Sequence, residues 1–264
     1  MQISFAQDLF NFGNSLRYAK YLYANGDYKE AIPELNRCIF LAADKSKNEV
    51  LDLLLVSYRR TNQYHEMLHA SESLYPSGDF PDPVLKELHY SFILSNKLAL
   101  GDQLLQTRPF EERYNQIRFE VAYDVFSNQY DNGLKKISSF TPQTPEGTQF
   151  NTRATIMLRE AAALKYKSPA KAGLLSMIIP GAGKFYANRK KDAVFSFILT
   201  VVAAYQSYRA FNKNGIDSVF GWVYGGLAGG FYVGNIYGSV QAAKRTNELA
   251  NERYHDQMRT IIGL

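Results

Sequence analysis

His65-Glu66-Met67-Leu68-His69 is the stretch of this 264-residue chain whose residue types and spacing most directly suggest catalysis. On a helix, histidines at i and i+4 share one face and can chelate a zinc ion, with the intervening glutamate as general base. Glu87 follows further along as a conceivable third ligand. The surrounding pattern argues for a plainer role. His65 and His69 align with Lys29 and Pro33 of a similar upstream segment, and Glu66 aligns with Glu30, all ordinary outward positions. A zinc peptidase also needs a strand edge beside that helix to align its substrate, and no strand pattern follows. Zinc metallopeptidase chemistry at 65–69 is therefore the alternative reading, and a non-enzymatic protein without cofactor or resident metal is the preferred one.

A second imitation of chemistry is Gly181-Ala182-Gly183-Lys184, which resembles a phosphate-binding loop. That loop requires a glycine where Ile178 stands and a Ser or Thr where Phe185 stands. No paired carboxylates, Ser/His/Asp set or aromatic-basic stripe points to other reactions or to nucleic acid. The lone cysteine, Cys38, rules out a disulfide framework and is expected to be a buried structural thiol. An apolar content of 46% rules out wholesale disorder, and a mean hydropathy of −0.28 rules out a polytopic transporter. Charge is uneven: residues 1–168 carry 19 basic against 20 acidic side chains, residues 169–264 carry 11 against 5.

Self-similarity organises the first two thirds. Tyr28, Tyr64, Leu98 and Tyr130 recur at a period near 34, each after a polar turn and each expected to open a short helix. Three residues later Ala31, Gly101 and Gly133 offer small side chains that let paired helices approach, with Met67 the exception. The first unit, with Ala19, Leu22, Gly26, Tyr28, Ala31 and Leu35, resembles a tetratricopeptide repeat. The resemblance implies a degenerate helical solenoid whose concave face takes a protein partner.

The last third reads as a membrane module. Residues 172–183 are uncharged but too short to cross a bilayer. Residues 193–208 span if Arg209 snorkels and the helix extends to Phe211, and residues 218–243 span comfortably at about 39 Å if helical. In the second stretch Gly226, Gly230, Gly234 and Gly238 recur every four residues, with Gly221, Gly225 and Gly229 in a parallel row. Such rows let helices pack backbone to backbone in lipid, either against the chain's own hairpin or against an integral membrane protein.

Lys167-Ser168-Pro169-Ala170-Lys171-Ala172, followed by Ser176, Pro180, Gly181, Gly183 and Tyr186, resembles an uncharacterised bacterial membrane family. Its signature is K-S-P-x-x-A…S-x-x-x-P-G-x-G-x-x-Y before a two-helix hairpin, and many members are envelope proteins of the Bacteroidota. The resemblance implies membrane placement and no established activity. Ser168, Pro169, Pro180, Gly181, Gly183 and Tyr186 would form a hinge at the bilayer interface, with Lys184, Arg189, Lys190 and Lys191 meeting lipid headgroups. A lipid- or small-solute-handling role at the 180–186 break is a further alternative.

The opening Ser4-Phe5-Ala6-Gln7 resembles the cleavage end of a signal peptide. Export of residues 7–166 conflicts with the basic flanks of the hairpin, which by the positive-inside tendency favour cytoplasmic termini. The resulting expectation is an all-α chain. It comprises a processed end (1–6), a helical repeat domain (7–166) facing the periplasm, and a transmembrane hairpin module with an amphipathic tail (167–264). Its role would be that of an envelope adaptor for secretion or outer-membrane assembly.

Overall fold

The computed structural model describes residues 11–42 and 44–264. The signal-peptide reading at Ser4–Ala6 lies outside them. The protein is all-helical, with thirteen helices and no strand among the described residues. Two compact units are distinguished: the described residues up to Arg159 together with Met258–Leu264, and Glu160–Gln257.

The first unit contains α1 (Phe12–Asn25), α2 (Tyr28–Leu41), α3 (Asp44–Arg60), α4 (Tyr64–Leu74), α5 (Asp82–Leu94), α6 (Leu98–Thr107), α7 (Arg113–Phe126) and α8 (Tyr130–Ser138). Most of α9 (Pro145–Ala162) belongs to it as well. The helices pair as α1/α2, α3/α4, α5/α6 and α7/α8, and α3 packs on α5, which packs on α7. One turn joins every pair. Gly26, Asn62, Asn96 and Asn128 all adopt positive φ. The next residue then donates its N–H back five positions: Asp27 to Leu22, Gln63 to Tyr58, Lys97 to Phe92 and Gln129 to Asp124. This closes the helix in the left-handed cap that glycine and asparagine tolerate best. Tyr28, Tyr64, Leu98 and Tyr130 are accordingly the first residues of their helices.

Small residues sit where large neighbours need room. Ala19, Ala31 and Cys38 are fully buried with Leu35, Leu54, Leu55 and Met67, and burial pushes the Cys38 thiol pKa up. A Cβ on Gly101 would fall 2.1 Å from the Tyr123 hydroxyl oxygen, and one on Gly133 would fall 3.1 Å from Leu158. The helix α7 is the most enclosed, its side chains buried from Phe119 through Phe126 apart from Glu120. Phe119 stacks on Phe110 at 5.3 Å, and the ring of His89 lies 5.0 Å from that of Phe119.

The second unit contains α10 (Pro169–Ile178), α11 (Ala182–Tyr186), α12 (Lys190–Asn214) and the first part of α13 (Val219–Ile262). It begins at residue 160, a little before the sequence boundary at 167. The last turns of α13 group with the first unit. There the buried Arg118 guanidinium donates to the Ile262 carbonyl, which also accepts from Tyr90 Oη at 2.6 Å. A cation at the open carbonyl end of a helix offsets both its unpaired acceptors and its dipole.

Candidate functional site

The six signature residues of the second unit converge on a single knot of backbone contacts. Ser168 caps α10 by accepting the Lys171 N–H at 3.2 Å, and Pro169 occupies the first helical position, where a missing N–H costs nothing. The Ser168 N–H donates to Tyr186 Oη at 3.1 Å, joining the two halves of the motif. Lys167 and Lys171 cover the Tyr186 ring at 5.0 and 5.4 Å. Pro180 stands in the break between α10 and α11. Gly181 follows at φ +92° as the N-cap of α11, so close to Ala193 that a Cβ would meet its carbonyl oxygen at 2.4 Å.

Gly183 is tighter still. A Cβ there would lie 1.8 Å from the Ala172 carbonyl oxygen. Its N–H donates to Ser176 Oγ at 2.9 Å, and that hydroxyl is 2.7 Å from Ser239 Oγ on α13. Ala172, Ala187 and Ala243 form the small dry core beneath. After α11 the chain turns at Asn188, again at positive φ, with Arg189 donating back to Lys184. This fifth copy of the helix-joining turn was not read from the sequence, although Ala187-Asn188-Arg189 carries its signal.

The glycine rows separate into three groups. Gly221 and Gly225 face α12: the ring of Phe211 covers Gly221, Ser207 Oγ donates to its carbonyl at 2.8 Å, and the same oxygen lies 3.1 Å from a Cβ on Gly225. Gly238 faces Lys184. Gly226, Gly229, Gly230 and Gly234 have open space where a Cβ would be.

Lys184 departs from the expected basic collar. It is half-buried, and its ammonium donates to Ser196 Oγ on α12 at 2.6 Å. Arg189, Lys190 and Lys191 are exposed, with Arg189 paired to Asp192 at 2.9 Å. Next to them begins a run of exposed apolar side chains: Val194, Phe195, Phe197, Ile198, Val201 and Val202 on α12, then Val219, Phe220, Trp222, Val223 and Leu227 on α13. Among the described residues α12 is the one helix long and apolar enough to cross a membrane, and 17% of its most apolar stretch is buried. The core helix of a water-soluble protein would be mostly covered.

Two of the clefts in the first unit bear on chemistry. The larger, about 530 Å³, is lined by α2, α3 and α4 and includes Asn36, Tyr58, His65, Glu66 and His69. The HExxH residues thus border a cavity, but Glu87 is held by Arg59 at 2.6 Å. No group of three His, Cys, Asp or Glu among the described residues could hold a metal ion. The second, about 420 Å³, lies along α3, α5 and α7 and is lined by Asp52, Asp82, Lys86, Glu87, Glu112 and Asn115. Burial first, then the nearby Glu87 charge, pushes the Asp52 carboxyl up; burial and then Arg118 push the Lys86 ammonium down. No family model, curated protein or solved structure matches this chain.

Proposed function

We propose that this chain is a non-enzymatic adaptor: a helical repeat array tethered to a bacterial envelope membrane by the α12–α13 hairpin, recruiting a protein partner. The observation that carries the reading is the exposed apolar surface of α12 and early α13. Exposed apolar side chains this numerous on two successive helices are the kind of surface that contacts a membrane or another protein. In a bilayer it becomes the lipid-facing side, with Tyr205, Tyr208, Phe220 and Trp222 near one end and the cations of 189–191 at the other. The signature glycines support the same reading, because they lock α10 and α11 against the hairpin base instead of lining a reactive cleft.

In this account the first unit is a degenerate solenoid, and the cleft along α3, α5 and α7 is the seat of the partner segment. Gly226, Gly229, Gly230 and Gly234, open within the chain, are available to a helix of an integral membrane protein. Secretion or outer-membrane assembly is the process such a tether would serve, with the array facing the periplasm. Mild detergent extraction of the tagged chain, with identification of what copurifies, tests the adaptor role. A partner retained by the native chain and lost on Lys86→Glu with Asn115→Ala supports it. A chain that copurifies with nothing, or whose partner ignores both substitutions, argues against it.

A further inference from the structure

Inside the second unit lies a polar seam that packing alone does not account for. Ser176 Oγ, Ser239 Oγ and the Gly183 N–H are mutually satisfied, as above. One turn before Ser239, the Asn235 side chain is 3% exposed, and neither its amide oxygen nor its amide nitrogen has a hydrogen-bond partner. Leaving both polar atoms of a buried amide unpaired is costly, and such a group in a native fold calls for an explanation, a bound water, ion or ligand among them. In hydrocarbon the cost rises, and intramembrane polar side chains are most often functional.

What stands beside Asn235 narrows the chemistry. Gly238, three residues on, faces Lys184: a Cβ there would lie 3.2 Å from Lys184 Cε. The Lys184 ammonium bonds to Ser196 Oγ, a neutral partner that leaves two of its three donors unassigned and its charge unbalanced. Asp192, the nearest acid in sequence, is engaged by Arg189. The antiparallel register fixed by Ser207 with Gly221 and Gly225 brings Asn235 level with Ser196. Asn235 therefore lies on the stretch of α13 that carries both Ser239, paired with Ser176, and Gly238, packed on Lys184. An ammonium, an amide and hydroxyls along one short stretch of the unit, with no carboxylate paired to them, suit an oxyanion. The seam sits within two helical turns of the exposed Lys190 and Lys191, where phospholipid phosphates are the abundant anion.

We infer that Lys184, Asn235 and Ser196 form a binding site for a phosphate oxyanion, supplied by a phospholipid headgroup drawn in at the 180–186 break. The inference rests on the membrane reading of the second unit.

The test uses the full chain in detergent, delipidated and then titrated with phosphatidylglycerol, phosphatidylcholine or inorganic phosphate. Thermal unfolding and native mass spectrometry are the readouts. The expected result is lipid bound one to one, a melting temperature raised by several degrees, and at least tenfold weaker binding in Lys184→Met and Asn235→Leu. Lys184→Arg should retain binding. Without ligand, Asn235→Leu should melt no lower than the native chain, since it removes an unsatisfied group. A response to inorganic phosphate alone would keep the oxyanion site but identify free phosphate as its source. No one-to-one binding of any phosphate compound, or equal binding by both variants, overturns the inference. A chain that proves monodisperse without detergent removes the membrane reading itself, a distinct outcome.

Discussion

Gly183 and Ala172 touch backbone to backbone: no side chain can be accommodated between the start of α11 and the carbonyl of Ala172. The signature around 168–186 is thus a set of close approaches, and its residues differ sharply in what they tolerate. Gly183→Ala should destabilise the second unit by ~3 kcal/mol or more, since backbone must move. Gly181→Ala adds a positive φ to a backbone contact and should cost a similar amount. Gly226→Ala or Gly234→Ala, in open space, should change stability by less than ~1 kcal/mol. Thermal unfolding in detergent separates the two classes. A copurifying membrane partner lost on Gly226→Ala or Gly230→Ala, with unchanged stability, would identify the open row as its seat.

The recurring turn makes a second prediction. Asn62, Asn96, Asn128 and Asn188 sit at φ between 56° and 63°. Substitution by glycine should be neutral within ~0.5 kcal/mol, whereas valine should cost ~1–2 kcal/mol at each site. Denaturant midpoints of the Gly and Val series check this, and equal effects of both residues would contradict the left-handed cap.

Acid should weaken the first unit through His89. Its ring is buried among Phe110, Phe119 and Tyr123, and burial holds its pKa down at about 3. In the unfolded chain the same imidazole titrates near 6.5, so above that pH it contributes no pH dependence. Below it the unfolded state takes up the proton first, and stability falls as pH drops from about 6.5 towards 3. The full loss is on the order of 4 kcal/mol. His89→Leu should flatten the profile in this window, and the difference between the two stability curves isolates the group. Parallel curves would show that His89 is not buried as a neutral ring.

Zinc offers a direct check of the HExxH alternative. With two histidines, no third ligand among the described residues and Glu87 held by Arg59, the purified chain is expected to carry well under one equivalent of zinc. Stoichiometric zinc lost on His65→Ala would favour the peptidase.

Much of this architecture is legible from local patterns. Asn-Gly and Asn-Gln before Tyr28 and Tyr64 mark left-handed caps, and Ala31, Gly101 and Gly133 mark close helix approach, because turn geometry and packing at fixed spacing leave residue-level traces. The environment of Arg118 leaves none: its acceptor, Ile262, lies 144 residues away, and only the fold brings them together. Lys184 misleads for a related reason. It stands near a basic run, so composition assigns it to the collar, yet the α11 turn aims it at Ser196. The glycine rows announce close packing but not which members have a partner inside the chain.

The account turns on whether α12 and the glycine-rich part of α13 lie in lipid. Washing membranes of expressing cells with alkaline sodium carbonate, then probing pellet and supernatant for the full chain, addresses that directly. The account predicts retention in the pellet, and release only when exposed α12 positions such as Phe195, Ile198 and Val202 are replaced by aspartate. Quantitative recovery of the unmodified chain in the supernatant would contradict it.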